Sequence, residues 1–537
     1  WLKALPLEPP PCPGRSLLHR LRMAAAGAAA AEAVPRFCVL GGGLAGLASA
    51  FFLQRSFPLA RVRVVGRREQ GLIASARGSR GQVLEQGFHT SMLNNRNGRE
   101  ALGLARLLGL EEEVLSANVE ASARRHLLLG GRVQLFPKLQ HSLRFGPALL
   151  AEPLWPCGRG EDESVHAFVA RRTSTAVADN IADPICRGQL AGDARSLSVR
   201  TCFPRLWYNE RRFKSIFVGS FFSVASAYRQ RSWLSLDLLD PLQQRISAGG
   251  RCYSFRSGMG TLLERLETAL QEPPLGTRPT EILREAAVAG VRANGTGPPA
   301  EVLLDDGRSL EADAVVAAVP PYELARILSA SGLDVPHADA SGASLSKLLA
   351  GVEHESVAVV GVSFNDDVLR GRFRGAGYFA GSREQQDKPV LGMSWDSQLF
   401  PEQDPQPGAT RLTVYVAGQE GPRAAEDAAL AAVRAHLGVD KDPEEVATTE
   451  WPKAVPQYAV GHRQMMRAVD AARRRHLPWL QVAGGGFLGT RSAADDIVDA
   501  RKLADAMARR FARFPGLVEN EAAEDVAPRY GGGFDTE

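Results

Sequence analysis

Short apolar runs with period-two or fully apolar character mark the strands of this chain, and runs with apolar positions three and four apart mark its helices. Phe37-Cys38-Val39-Leu40 is a fully apolar run followed directly by glycines, which predicts a strand buried on both faces. It leads into Gly41-Gly42-Gly43-Leu44-Ala45-Gly46, after which Leu44–Gln54 has helical composition, and Arg61–Val65 reads as a second strand. Gln82–Gly87 predicts a third strand with a turn, residues 99–116 a helix, and Arg124–Gly131 a hairpin closed by Gly130-Gly131. Residues 138–230 are mixed and mostly helical, with Asp162 and Glu163 placed at a helix start. Gly258 and Gly260 precede a helix within Tyr253–Leu266, and Glu301–Leu304, Asp305-Asp306-Gly307 and Ser309–Val319 predict strand, turn and strand, the last buried from Ala312 onward. Residues 356–364 and 409–418 are strand-like and belong to a second sheet, with Gly375–Ala380 read as a loop between them. Leu480–Ala483 predicts a short strand running into Gly484-Gly485-Gly486, and Ile497, Ala500, Ala504, Met507 and Phe511 share one face of a C-terminal helix from about Asp495.

The strand–glycine–helix arrangement at 37–54 gives the G-x-G-x-x-G motif its meaning. Gly41 allows the tight turn, Gly43 lets backbone approach a pyrophosphate, Gly46 lets helix and strand pack closely, and the helix start offers unpaired N–H groups to phosphates. The bland alternative is a glycine-rich turn that binds nothing. An acid normally follows the second strand to hold a ribose hydroxyl. Here Gly66-Arg67-Arg68 stands in that place and the nearest acid is Glu69.

The 537 residues, 45% hydrophobic and 23% charged, describe a globular chain long enough for two or three domains. A net charge of +4 carries no basic stripe of the kind nucleic acid demands. Cys12, Cys38, Cys157, Cys186, Cys202 and Cys252 form no C-x-x-C and read as free thiols. Asn294-Gly295-Thr296 matches a short glycosylation sequon of the kind that arises by chance. No run is long enough to span a membrane. The best apolar stretch, Phe213–Val224, reads as a core helix, with an interfacial helix as the alternative. Residues 1–22 carry Lys3, Arg15, Arg20 and Arg22 against Glu8, which suits a mitochondrial leader or a translated stretch upstream of Met23. From 516 onward the composition is acidic and glycine-rich, as in a disordered tail.

The ordered glycine loops resemble the flavin-containing amine oxidase superfamily. Three further stretches narrow the likeness to its protoporphyrinogen oxidases: DESVHAFVARR with CRGQLAGDARSLSVRTCFP in Asp162–Pro204, VLGMSWDSQLFPEQD in Val390–Asp404, and VPQYAVGH in Val455–His462. The resemblance implies an α/β fold: a Rossmann-like FAD-binding domain built from discontinuous segments, an α+β substrate domain and a mostly helical membrane-binding domain. Its expected boundaries are a leader at 1–35, FAD-binding parts at 36–98, 250–330 and 456–515, the helical region at 99–230, the substrate domain at 331–455 and the tail at 516–537. It implies FAD as cofactor, protoporphyrinogen IX as substrate, six-electron oxidation to protoporphyrin IX in haem synthesis with molecular oxygen as acceptor, and hydrogen peroxide as by-product. It also implies a homodimer with peripheral contact to the mitochondrial inner membrane on the intermembrane-space side.

Carried over by motif, the cofactor residues are Gly41, Gly42, Gly43, Leu44, Ala45, Gly46, Leu72, Gly87, Phe88, His89, Thr90, Ile282, Ala483, Gly484, Gly489, Thr490, Arg491 and Ser492. Gly87–Thr90 replaces a Gly-Pro-Arg-Gly segment, and Ala494-Asp495-Asp496-Ile497 replaces Asn-Asp-Cys-Ile with one residue inserted. Arg125 matches an arginine that holds a substrate propionate, a role a guanidinium fork suits; without the match it reads as a surface arginine at a hairpin base. Ala376, Phe379 and Tyr415 replace an aromatic residue, a leucine and a methionine of the substrate pocket. No catalytic side chain is expected, because a bound flavin supplies the chemistry; His89 and His462 read as structural, with a base as the alternative. An amine- or polyene-oxidising relative and a non-catalytic tetrapyrrole-binding relative remain the alternatives, and a plain NAD dehydrogenase leaves the late Ala483-Gly484 strand–helix without a role.

Overall fold

The computed structural model describes residues 34–66, 72–87, 91–92, 96–137, 146–147, 149–222, 241–250, 252–294, 299–336, 344–384, 389–418, 421–489 and 492–511. A five-stranded parallel sheet is its base. It is assembled from β1 (Arg36–Leu40), β2 (Arg61–Val65), β3 (Glu281–Leu283), β4 (Ala314–Ala317) and β5 (Leu480–Val482), in the order β3-β2-β1-β4-β5. Three distant stretches of chain therefore share one sheet. Side chains alternate between its faces. Phe37, Val39, Val62, Val64, Ala314 and Val316 pack under α1 (Leu44–Ser56) and α2 (Ala493–Arg510), together with the helices Arg96–Leu107 and Gly260–Gln271. Cys38, Leu40, Val65, Val315 and Ala317 face the three-stranded sheet Val288–Ala293, Ala300–Leu304, Ser309–Ala312 and the helices Pro321–Ala330 and His462–His476. Coverage of both faces explains why β1 from Phe37 onward and β4 are apolar rather than alternating.

A seven-stranded sheet stands beside it, ordered Glu445–Pro456, His354–Phe364, Thr410–Ala417, Val390–Trp395, Gly377–Ala380, Arg125–Leu129, Arg132–Phe136. All its pairs are antiparallel except Gly377–Ala380 against Arg125–Leu129. The helix Pro422–Leu437 covers one face. The other turns Val357, Val359, Leu391 and Trp451 toward Leu72 and Ala74 of the nucleotide-type unit. A helical lobe spans 152–222, its core formed by Val165, Phe168, Cys186, Leu197 and Tyr458.

Several local expectations are corrected. The helix expected over 99–116 spans Arg96–Leu107, and Val114–Ser116 is a strand; Gly109, at φ +68°, takes the left-handed conformation that ends it. The single strand expected over Ser309–Val319 is two strands in different sheets, divided at Asp313, whose carboxylate accepts from the backbone N–H and guanidinium of Arg36. Gly375–Ala380 is no loop: Gly377–Ala380 is a strand, and a Cβ at Gly377 would lie 2.0 Å from the Met393 carbonyl oxygen across the pair. Asp162 and Glu163 precede their helix, which Ser164 caps; Asp162 instead accepts from the Ser198 hydroxyl and the Gly461 N–H. The strand preceding Gly258, Cys252–Phe255, joins 91–92 and 114–116 rather than the parallel sheet. In the 213–224 stretch, residues 216–222 are helical, and Phe221, at 71% exposure, stands outside the core together with Phe217 and Phe222. Cys38, Cys186, Cys202 and Cys252 are buried and Cys157 is half-buried, and none of the five is in a disulfide. Cys12, the sequon beyond Asn294, the leader to residue 33 and the tail from 512 lie outside the described residues. No helix among the described residues is long and apolar enough to cross a membrane.

Candidate cofactor cleft

The ends of β1, β4 and β5 open into a cleft of about 1100 Å³, its mouth included. Its floor is Gly43, Leu44 and Ala45 at the start of α1; its sides are Leu72, Ile73, Ala318–Pro321 and Ala483–Gly486; Ser492, Ala493 and Asp496 of α2 close one end. The glycines follow from crowding. Gly41 adopts φ +113°, and a Cβ there would lie 2.4 Å from the Ala318 carbonyl oxygen. A Cβ on Gly46 would lie 1.9 Å from the Gly41 carbonyl oxygen, so the helix docks against its own turn. The two glycine turns meet: Gly484, at φ +97°, would bring a Cβ within 3.3 Å of the Ala45 Cβ.

The two helix starts differ in electrostatics. α1 begins after Gly43 with no side-chain cap and no acid in its first turn, so its leading N–H groups and positive dipole end stay available to an anion. α2 is capped by Ser492, which accepts from the Asp495 N–H, and it carries Asp495 and Asp496 in its first turn. Asn97 donates to Asp495. Of the two helix starts, α1 alone leaves its donors open to a phosphate; Asp496 in the cleft suits hydroxyl donors. A diphosphate at one end and a polyhydroxyl chain at the other is the donor set of FAD, and the residues fit it.

Gly43, Leu44, Ala45, Leu72, Ala483, Gly484 and Ser492 line the cleft, while Gly41 and Gly46 shape its turn. Gly87 lies behind Leu72, where a Cβ would fall 2.1 Å from the Leu72 carbonyl oxygen. Ile282 sits in β3 at the sheet edge, beside Val64 and away from the cleft lining. Gly489 ends the short helix Gly485–Leu488 against Thr201. Glu69, Phe88, His89, Thr90, Thr490 and Arg491 lie outside the described residues.

The four substrate candidates lie along the seven-stranded sheet. Phe379, Gly392 and Tyr415 are in cross-strand register, and the Phe379 ring fills the space beside Gly188, where a Cβ would lie 2.0 Å from it. Tyr415 is not open to a ligand at its hydroxyl, which donates to the Gly87 carbonyl at 3.4 Å. Burial, with Asp396 and Glu85 adding to it, drives this phenol far above its ordinary pKa. Ala376 is buried among Leu115, Ala121, Cys252 and Phe400 rather than facing the cleft. Arg125 opens its strand on an exposed position and bonds toward the Cys252 thiol.

The sequence reading did not assign Gln189, Leu190, His354, Val455, Pro456, Tyr458 or Asp496 to the site, yet all line the cleft. Gln189 and Leu190 lie inside the CRGQLAGD stretch, and Val455, Pro456 and Tyr458 inside VPQYAVGH, so the quoted motifs held the signal. His354 had none; its Nδ1 bonds the Val352 carbonyl, and burial, reinforced by Lys453, lowers its pKa against that bond. His462 lies behind Tyr458, fully buried with both ring nitrogens unpartnered. Burial brings it down to about 4 against the pull of Asp162, so it is neutral at pH 7.

A cleft where strand ends meet two glycine turns, roofed by a second sheet, defines a flavoprotein of the split-domain type. The chain belongs to the flavin containing amine oxidoreductase family, whose model matches residues 44–488, and within it to the protoporphyrinogen oxidases. It is an FAD-dependent oxidoreductase. It is 30% identical to protoporphyrinogen oxidase of Homo sapiens over 490 residues, covering 87% of this chain and 96% of that one. Coproporphyrinogen III oxidase of Bacillus subtilis is 24% identical over 497 residues, with 87% and 96% covered. In fold it resembles a protein of Exiguobacterium sp. 255-15 (TM-score 0.70, 19% identity, 89% of this chain and 99% of that one). Cyclohexylamine oxidase of Brevibacterium oxydans IH-35A gives a TM-score of 0.61 at 16% identity, with 89% and 100% covered.

Proposed function

We propose that this chain oxidises protoporphyrinogen IX to protoporphyrin IX in haem synthesis, removing six electrons in three cycles with molecular oxygen as final acceptor and hydrogen peroxide as by-product. The observation that carries the reading is the composition of the cleft: glycine turns of the parallel sheet form its floor, while Gln189 and Leu190 of the lobe and Ala454–Pro456 of the second sheet form its cover. When bound, FAD supplies the hydride acceptor. The α1 start holds the diphosphate, Asp496 accepts from hydroxyls, and the apolar cover excludes water from the reacting face. Arg125 pairs with a propionate, and Phe379 backs the macrocycle.

Peripheral membrane contact at the mitochondrial inner membrane, on its intermembrane-space side, is part of the same proposal. Leu150, Leu154, Trp155, Phe217, Phe221 and Phe222 are exposed, and Glu152 ties the first segment to Ser215 and Ile216 beside the second. An apolar patch of this kind, next to Arg212 and Lys214, suits insertion among lipid headgroups. A homodimer completes the proposal, to be read from solution mass.

The test is purification of the chain from Met23, a visible spectrum, and a porphyrinogen assay under air and under nitrogen. Flavin absorbance with oxygen-dependent porphyrin fluorescence above the enzyme-free rate is expected. Bound flavin without turnover of porphyrinogen rejects the substrate assignment.

A further inference from the structure

The segment Gln86-Gly87 belongs to the nucleotide-type unit, yet side chains of the other sheet hold it. The Trp451 indole N–H donates to the Gln86 carbonyl at 2.5 Å, and the Tyr415 hydroxyl donates to the Gly87 carbonyl at 3.4 Å. Both aromatics lie on the sheet face that meets Leu72 and Ala74. From behind, the Gln86 N–H donates to the Ala74 carbonyl at 2.8 Å, and Glu85 accepts from the Met259 N–H at 2.9 Å. The segment is thereby clamped from two sides. Gly87 in turn abuts the Leu72 carbonyl so closely that a Cβ would sit 2.1 Å from it, and Leu72 is a wall of the cleft. Close packing passes a shift of Gly87 directly to that wall.

We infer that Tyr415 and Trp451 are positioning residues for the flavin: they fix the Gln86-Gly87 segment, and through Leu72 the cofactor side of the cleft, to the sheet that carries the substrate pocket. This rests on the FAD-dependent reading but not on the identity of the substrate. Tyr415 therefore acts through the cofactor wall rather than as a direct substrate contact, because its hydroxyl is engaged by the Gly87 carbonyl.

The experiment compares the Tyr415→Phe holoenzyme, which lacks one donor and little volume, and the Trp451→Phe holoenzyme, which lacks one donor and part of the indole, with Trp395→Phe, which loses the same part of an indole. Trp395 is equally buried in the same sheet, but it faces the other side and its indole nitrogen has no partner. FAD affinity is measured by fluorescence titration of stripped protein, and the flavin visible bands are recorded, all without porphyrinogen. Each of the first two variants is expected to bind FAD roughly fivefold more weakly, the loss of one hydrogen bond, with displaced flavin bands. The double variant is expected to lose less than the product of the two, because the two donors hold adjacent peptide groups of one segment. Trp395→Phe should keep wild-type affinity and spectrum. Wild-type affinity and spectrum in both Tyr415→Phe and Trp451→Phe overturn the inference, as does an equal change in Trp395→Phe. A chain that binds FAD in this pattern but leaves porphyrinogen untouched supports the inference while removing the substrate assignment.

Discussion

Removing the Arg172 guanidinium isolates a buried carboxylate. Arg172 and Glu152 are both fully buried. The Arg172 Nε donates to Glu152 Oε1 at 2.7 Å, and its terminal nitrogens reach the carbonyls of Trp155 at 2.7 Å and Lys214 at 2.9 Å. Glu152 also accepts from the Ser215 hydroxyl and, at 2.9 Å, from the Ile216 N–H. Burial alone raises the Glu152 pKa, but the Ser215, Ile216 and Arg172 contacts outweigh it and hold the group below its ordinary value. Arg172→Ala leaves that charge without its cation, a change that costs about 3–5 kcal/mol when the partner stays buried. Urea unfolding at pH 7 should show this loss. A carboxylate held low in the folded state contributes stability above its ordinary pKa, and that contribution disappears as pH falls through the folded value. In the variant the carboxyl protonates readily, so the gap to wild type should narrow by pH 4. Replacing both partners, Glu152→Leu with Arg172→Met, removes the orphaned charge and should lie closer to wild type than Arg172→Ala does. An Arg172→Ala protein within 1 kcal/mol of wild type at pH 7, or a gap constant from pH 7 to 4, would refute the reasoning.

Gly46→Ala places a Cβ 1.9 Å from the Gly41 carbonyl oxygen, so the purified variant should lack flavin absorbance; a variant as yellow as wild type rejects the docking argument. Phe221→Ser removes an exposed ring from the apolar patch, and it should weaken binding to anionic vesicles by tenfold or more, at about 1.5–3 kcal/mol per inserted side chain, with no change in melting temperature. His462 is brought by burial from 6.5 to about 4. The folded state thus binds fewer protons than the unfolded one, and stability should fall by roughly 3 kcal/mol between pH 6.5 and 4. Urea midpoints of His462→Leu should lack that fall, and an unchanged slope counts against it.

Local chemistry made part of this molecule legible. The glycine turn before α1 was readable because its spacing is a local pattern, and Gly46 answers to the Gly41 carbonyl five residues earlier, although Gly41 itself makes room for the distant Ala318 carbonyl. The face of α2 was readable because Ile497, Ala500, Ala504, Met507 and Phe511 repeat at helical spacing, and all five are buried. The break at Asp313 was not, since it depends on Arg36, 277 positions earlier. Gly377 looked like a loop residue for the reason it is a strand residue: it leaves room for the Met393 carbonyl. Phe217, Phe221 and Phe222 looked like core because hydrophobicity alone does not say what covers a side chain. In the site, family motifs marked the residues around Gln189 and Tyr458 without saying that they close the cleft, which depends on the lobe folding back over the parallel sheet.

The unlike helix starts also set a direction. A dinucleotide has a charged diphosphate and uncharged polyhydroxyl parts, so a cleft with two equivalent helix ends would accept it either way round. α1 presents unneutralised N–H groups, whereas α2 presents a serine cap and the Asp496 carboxylate. A diphosphate placed against Asp496 would meet like charge in a partly buried setting, and like charges at close range cost more there than in water. Placed against α1 it meets the dipole end and the donors. The orientation is thus set by what each helix does with its own first turn, and by the close approach of the two turns at Ala45 and Gly484, which brings both ends within reach of one ligand.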